Sequence, residues 1–238
     1  MKKAIIIGGT SGIGRGLAEK LIENNWTVAI TGRRTELLEE IKQKSNNQIL
    51  TLEHDVTEIN SSDVKLESLF EQLKTVDLVV VSAGLSEMNE ELKWDVENKV
   101  IQTNVNGIAK VYEFVFSKFK KQGYGHLAAI SSIAAIRGNR HCPSYSASKA
   151  FQANYLEALR CIAKNKKLAI KITDIQPGFV DTPMAKGDGL FWVAPVKKAS
   201  TQIYTGIIKG RRKIYITKRW RLIAWIMKNA PSWIIEKM

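Results

Sequence analysis

Short, unbroken apolar runs alternate with stretches of helical spacing along most of this chain, and no other feature limits its fold so tightly. Lys3 to Ile7 is an apolar run ending in glycine, Ile13 to Asn25 repeats apolar residues at helical intervals, and Trp26 to Thr31 is β-prone again. The unit then recurs, with a helix expected over about 34–44, a strand over 49–54, a helix over about 62–74 and a strand at Leu78 to Val81. Every residue of that last strand is apolar, which suits a parallel strand covered on both faces. A long helical stretch from about Leu92 to Lys120 precedes a strand at Gly125 to Ser131. A helix at Ser144 to Lys164, a strand at Leu168 to Ile175 and a final strand at Lys213 to Thr217 follow. Right-handed crossovers between such strands give an α/β fold, a doubly wound parallel sheet that takes ligands at the carboxyl ends of its strands.

At 238 residues with 45% hydrophobic content, the chain suits one domain with a small appendage, read here as residues 1–217 and a tail over 218–238. Glycines interrupt the apolar N-terminus MKKAIIIGGT and no small-residue cleavage site follows, so a first strand is expected rather than a secretory signal. Cys142 and Cys161 are too few for a disulfide framework and fit a reducing cytoplasm. His54, His126 and His141 lack metal-ligand spacing, and no metal is expected. The formal charge of +13 is unevenly placed, because residues 197–238 hold eleven Lys or Arg against one acid, Glu236. No recognised nucleic-acid module accompanies the basic stretch, so a nucleic-acid partner is not expected.

Two clusters carry chemistry. The first strand runs into GGTSGIG, where Gly8, Gly12 and Gly14 permit a tight turn and let the backbone approach a pyrophosphate. Ser11 and Ile13 stand at the start of the following helix, whose unpaired N–H groups attract anions. In the second cluster, Tyr145 and Lys149 in SYSASKA share a helix face, with Ser132 upstream. A fixed ammonium beside a phenol is expected to lower its pKa from an ordinary value of about 10 toward neutrality. Between these clusters, the second strand ends in ITGRR. An NAD site usually carries a carboxylate there, whereas Gly32 followed by Arg33 and Arg34 suits the 2′-phosphate of NADP(H), with Arg33 as the expected principal contact and Ser11 as the second.

Taken together, these motifs make the chain resemble the short-chain dehydrogenase/reductase family over roughly residues 3–217. The resemblance implies a Rossmann-type sheet of about seven strands and an NADPH-dependent carbonyl reductase or alcohol dehydrogenase, working physiologically toward reduction. It places Asp55 and Val56 at the adenine, Ser82, Ala83 and Gly84 after the fourth strand, and Pro177, Gly178, Val180 and Thr182 around the nicotinamide. Ile7 and Ser82 depart from the family's usual Thr and Asn. It assigns proton transfer to Tyr145, substrate orientation to Ser132, ribose binding and phenol activation to Lys149, and a relay water to Asn104. A catalytically silent nucleotide-sensing or membrane-associated binding protein is the alternative, against which the complete set Asn104, Ser132, Tyr145 and Lys149 speaks.

Past Thr182, the resemblance puts a lid over a small-molecule carbonyl or alcohol substrate. Met184, Leu190, Phe191 and Trp192 would give the lid an apolar inner face, and Gly187 and Gly189 would let it hinge. These residues could equally pack as core beneath an ordinary loop. Relatives commonly pair through the long helices, so a homodimer or larger assembly is expected, with Phe151, Tyr155 and Leu159 as candidate contacts. In the tail, RWRLIAWIMKN puts Leu222, Ile223, Ile226 and Met227 on one helix face, Arg221 and Lys228 opposite, and Trp220 and Trp225 at the boundary. Such a helix lies in the interface of an anionic membrane, here the inner face of the cell membrane, or packs on its own domain or a partner subunit. It cannot span a bilayer, because Lys228, Asn229 and Pro231 interrupt it.

Overall fold

The computed structural model describes residues 1–45, 48–185 and 189–236. Its strands are β1 (Lys3–Ile7), β2 (Thr27–Gly32), β3 (Ile49–Glu53), β4 (Leu78–Val81), β5 (Tyr124–Ile130), β6 (Ala169–Pro177) and β7 (Lys213–Ile216). They form one seven-stranded sheet in the order β3-β2-β1-β4-β5-β6-β7, with every neighbouring pair parallel. This is the doubly wound, Rossmann-type fold. The order reverses between β1 and β4, so the loops leaving those strands diverge and leave a crevice at their carboxyl ends.

Helices cover both faces. On one side lie α1 (Gly12–Ile22), α2 (Thr35–Lys44) and α7 (Val196–Ile208), burying Leu17, Leu21, Leu38, Ile41 and Ile203 against Ile6, Ile30 and Val80. On the other lie α3 (Ile59–Leu73), α4 (Trp94–Ile101), α5 (Ile108–Gln122) and α6 (Pro143–Asn165). There Leu66, Phe70, Val111, Tyr112, Phe119 and Leu156 pack on Ile5, Val79, Val81 and Leu127. Each fully buried aliphatic or aromatic side chain contributes about 1.5–3 kcal/mol. Local signals set the ends. Pro143 opens α6 at its first turn, where a missing N–H costs nothing, and Gly123 closes α5 in the left-handed region at φ +89°.

Several expectations need correction. The helix expected over 92–120 begins at Trp94 and widens into a π-helical turn at Gln102–Gly107 before continuing as α5. The wide turn presents Asn104, whose side-chain amide replaces a backbone partner for Leu85, and a side chain at Gly107 would strike the Val56 carbonyl at 2.4 Å. Strand β6 continues to Pro177 because β7 pairs with it as far as Ile216. Of the candidate dimer contacts, Leu159 is buried in the chain's own core and Tyr155 packs against Tyr112 with ring centroids 5.8 Å apart.

The tail folds as α8 (Trp220–Asn229) and α9 (Ser232–Ile235). The apolar face expected from Leu222, Ile223, Ile226 and Met227 is split. Trp220 and Ala224 are buried and Ile223 and Met227 half-buried against the domain, while Leu222, Trp225 and Ile226 face outward. Trp220 decides this rotation, because Gly178 leaves a flat backbone surface on which the indole lies. Among the described residues no helix is long and apolar enough to cross a membrane.

Candidate active site

The loops leaving the strands' carboxyl ends enclose a cleft of about 1250 Å³. At its glycine-loop end, the Ser82 and Ala83 N–H groups both donate to the Ile7 carbonyl, at 2.8 and 2.9 Å. That pulls the β4 loop so close that a Cβ on Gly8 would lie 2.5 Å from the Ala83 nitrogen, and one on Gly14 would lie 2.3 Å from the Gly8 oxygen. Ser11 precedes α1 without a capping bond from its side chain. The first-turn N–H groups therefore stay open to the cleft beside Gly12 and Ile13, with the positive end of the helix dipole behind them. Thr182 reaches across from the β6 loop, close enough that a Cβ on Gly12 would meet its methyl group at 3.1 Å.

The two arginines after β2 part company. Arg34 Nη2 donates to the hydroxyls of Thr10 at 2.7 Å and Ser11 at 2.8 Å. Arg33 points instead to Asp55 on the cleft wall, its Nη1 3.7 Å from Oδ2 and its side chain 60% exposed. A Cβ on Gly32 would lie 2.7 Å from the Thr10 methyl group, so a side chain there would require Thr10 to move. Asp55 Oδ1 accepts from both the N–H and the hydroxyl of Thr57, at 2.9 and 2.8 Å. Burial raises the Asp55 pKa, but those two bonds and the Arg33 guanidinium outweigh it, and the carboxyl stays below the usual carboxylate range. Val56, beside it on the cleft wall, is buried.

At the other end, α6 brings Tyr145 and Lys149 one turn apart, the ammonium 5.7 Å from the phenol ring centroid. Ser132 follows β5, accepts from the Ala134 N–H at 3.1 Å, and lies close enough to the Tyr145 phenol to ease its ionisation. The Lys149 ammonium is buried and donates to the Ile130 carbonyl at 2.9 Å and to Gln152 Oε1 at 3.0 Å. Asn104 is wholly engaged. Its Oδ1 accepts from the Leu85 N–H at 2.8 Å, and its Nδ2 donates to the Leu85 carbonyl at 2.7 Å and to Ser148 Oγ at 3.0 Å. Gly84 makes this packing feasible, since a Cβ there would come within 3.3 Å of Lys149 Nζ and 3.4 Å of Asn104 Oδ1.

One expected effect changes. The Tyr145 pKa is raised rather than lowered, because burial penalises the phenolate and the Ser132 hydrogen bond pulls back only part of the shift. Burial likewise pushes the Lys149 pKa down to about 8, against the attraction of Asp174. The main-chain carbonyl of Asn104, the residue expected to hold a relay water, accepts from Gln152 Nε2 at 2.8 Å.

The cleft mouth is built partly from the tail. Trp220 lies over Gly178, and Ile223 and Met227 line the cavity. Arg137 holds the last turn of α8, donating to the carbonyls of Met227, Lys228 and Ala230 at 2.7, 3.0 and 3.1 Å. Opposite, Met184, Leu190 and Phe191 line the cleft, and Phe191 packs on Trp220 with centroids 5.2 Å apart. Trp192 points outward beneath the Arg219 guanidinium, 4.8 Å from its ring. Gly189 has φ +79°, and Gly187 lies outside the described residues. Sequence reasoning missed Thr10, Arg137, Gln152 and the inward side of α8. Only Gln152 carried a signal, a polar residue three positions after Lys149 on the same helix face. Among the described residues no group of three or more His, Cys, Asp or Glu could hold a metal ion.

The model of the short chain dehydrogenase family matches residues 2–189 of this chain. This chain belongs to that family. An uncharacterized oxidoreductase of Myxococcus xanthus is 32% identical over 188 residues, covering 77% of this chain and 74% of its own. A probable NADP-dependent dehydrogenase of Haemophilus influenzae is 30% identical over 178 residues, 74% of this chain and 70% of its own. The crystal structure of a short chain dehydrogenase from Burkholderia cenocepacia in complex with NADP shares the fold, with a TM-score of 0.84 at 21% identity over 100% of this chain and 98% of that one. Short-chain dehydrogenases are oxidoreductases that bind nicotinamide cofactors, and the cleft of this one has the open helix N-terminus and side-chain-free glycine loop that a dinucleotide requires.

Proposed function

We propose that this short-chain dehydrogenase is an NADPH-dependent carbonyl reductase acting on a hydrophobic substrate. The observation that carries the reading is the convergence of Tyr145, Ser132 and Lys149 at one end of a cleft whose other end carries Arg34 on Thr10 and Ser11. Gly8, Gly12, Ile13 and Gly14 would hold the pyrophosphate. Arg34 with Thr10 and Ser11 would hold the 2′-phosphate, with Arg33 and Asp55 toward the adenine beside Val56. Ser82, Ala83, Gly84, Pro177, Gly178, Val180 and Thr182 would enclose the nicotinamide half. The bound cofactor would supply hydride. Tyr145, kept as a phenol by its raised pKa, is suited to give a proton to a carbonyl oxygen, and the Ser132 hydroxyl to orient that oxygen. Lys149, cationic below about pH 8, would bind the ribose hydroxyls and stabilise the phenolate left behind.

Met184, Leu190, Phe191, Ile223 and Met227 around the mouth favour an acyl-chain or lipid-like compound. A membrane reading rests on a separate observation. Leu222, Trp225 and Ile226 are 60%, 64% and 48% exposed on the outer side of α8, beside Lys218, Arg221 and Lys228. A cytoplasmic enzyme resting this side on anionic lipid would open its mouth toward an apolar substrate. A homo-oligomer would form through α4, α5 and α6, with Phe151 of α6 as a contact.

The deciding assay follows NADPH oxidation against carbonyl compounds of increasing chain length, with the intact protein and Tyr145→Phe. Turnover should rise with chain length, prefer NADPH over NADH, and fall about a hundredfold or more in the variant. Full turnover by Tyr145→Phe would sink the scheme, and NADPH binding without reduction of any carbonyl would favour a silent binding protein. Salt-sensitive cosedimentation with anionic vesicles tests the membrane reading, and light scattering tests assembly.

A further inference from the structure

Gln152 has a contact pattern that the reaction scheme does not use. It is 1% exposed, on the side of α6 that faces the reaction centre, one turn beyond Lys149. An ammonium has three donors and no acceptor. One goes to the Ile130 carbonyl and one to Gln152 Oε1, which leaves the third for the phenol side of the cleft. The other end of the same carboxamide donates to the Asn104 carbonyl. Asn104 is tied through its side chain to the main chain of Leu85 and to Ser148. Four separate pieces of chain, namely the end of β5, the β4 loop, the π-helical turn and α6, are thus joined around one ammonium.

We propose that Gln152 is a positioning residue of the reaction centre, one that grips the Lys149 ammonium through its carboxamide oxygen and anchors that grip on the main chain of Asn104. The inference rests on the reductase reading for its kinetic consequence but not for its geometry. A carboxamide can accept at oxygen and donate from nitrogen, yet it passes no proton between them without a costly change of tautomer. On this side Lys149 is therefore held by a partner that cannot relay its proton. The alternative occupant of the position, a leucine or valine, would leave the Asn104 carbonyl and one lysine donor without these partners in a buried place.

The charged and titratable groups around the ammonium are few among the described residues. Tyr145 faces it from α6 itself and Asp174 acts on it from β6, while β5, the β4 loop and the π-helical turn offer only neutral groups. A change at Gln152 should therefore be read directly in the titration of Lys149. The experiment uses the full chain with lysine labelled at Cε, Lys149 being assigned from a Lys149→Arg sample, and follows the NMR titration with NADP bound. Gln152→Leu removes the acceptor and should move the Lys149 titration down by about one pH unit. Gln152→Glu keeps an oxygen for the lysine but, as a carboxylate, cannot donate to the Asn104 carbonyl; its added charge should move the titration up by about as much. With the best carbonyl substrate, the basic limb of kcat should follow in the same two directions while KM for that substrate stays within about twofold. Should Gln152→Leu not fold, the upward shift in Gln152→Glu alone tests the grip. A Lys149 titration unmoved in folded, NADP-binding variants overturns the proposal. Failure to reduce any carbonyl would instead count against the reductase reading and leave the NMR result standing as evidence on Gln152.

Discussion

Gly178→Ala should detach the tail from the cleft. An added Cβ would lie 1.9 Å from Cε2, 2.2 Å from Cδ2 and 2.4 Å from Nε1 of Trp220. Ordinary carbon contacts are about 3.5–4 Å, so the indole has to retreat by roughly 1.5–2 Å. Gly178 does not occupy the left-handed region, and the strain is therefore steric, not conformational. Overpacking of this kind costs about 1–3 kcal/mol, and complete loss of a buried tryptophan about 3–5 kcal/mol. A value of roughly 2–4 kcal/mol is expected. For a chain of this size it lowers Tm by about 5–12 °C. A double-mutant cycle isolates the contact, since Gly178→Ala made in a Trp220→Leu background should cost less than about 1 kcal/mol, a coupling of at least about 1 kcal/mol. Differential scanning calorimetry on the four proteins measures it. An unchanged Tm for Gly178→Ala, or strictly additive effects, would refute the argument that Trp220 holds α8 in place.

Three further outcomes follow from the geometry. Arg34→Ala should raise KM for NADPH about 10- to 100-fold and leave NADH nearly untouched, the loss of one charge-assisted contact to phosphate, and an equal effect on both cofactors would show that Arg34 does not read the 2′-phosphate. His54 and His126, buried against Ser62 and Thr173, have pKa values pushed down to about 4 by burial. The unfolded chain takes up their protons below about pH 6.5, so stability should fall as pH drops from about 6.5 toward 4, by roughly 2–3 kcal/mol for each histidine, and denaturant midpoints that stay flat over that interval would contradict it. Asp174 raises the Lys149 pKa across the buried face of the sheet, so Asp174→Asn should move the basic limb of kcat to lower pH, and a limb moving upward would show that the carboxylate acts differently.

Chemistry whose partners lie near in sequence was legible before any coordinates. Tyr145 and Lys149 are one helical turn apart, and a glycine loop between a strand and a helix already specifies an anion site. Legibility failed where a side chain's direction depends on a distant segment. Arg33 and Arg34 are adjacent, and only the hydroxyls of Thr10 and Ser11 on one side and the Asp55 carboxylate on the other decide which arginine faces the loop. The π-helical turn at Gln102–Gly107 answers to Leu85, far away in the chain. The rotation of α8 answers to a glycine in the β6 loop, so its apolar residues, enough for two sides of a helix, gave no means of telling inner from outer. The raised tyrosine pKa has the same origin, because spacing reports a neighbouring cation but not the depth at which the pair is held.

The mouth of the cleft and its floor have different constraints on change. The family match ends at residue 189, whereas Trp220, Ile223 and Met227, which line the entrance, lie beyond it on α8, outside the sheet. Replacing Ile223 or Met227 alters the width and shape of the entrance while Tyr145, Ser132 and Lys149 keep their supports. On the proposed reductase reading, the preferred substrate can therefore drift over generations, or be redirected in the laboratory, one side chain at a time and without re-establishing the hydride chemistry at each step.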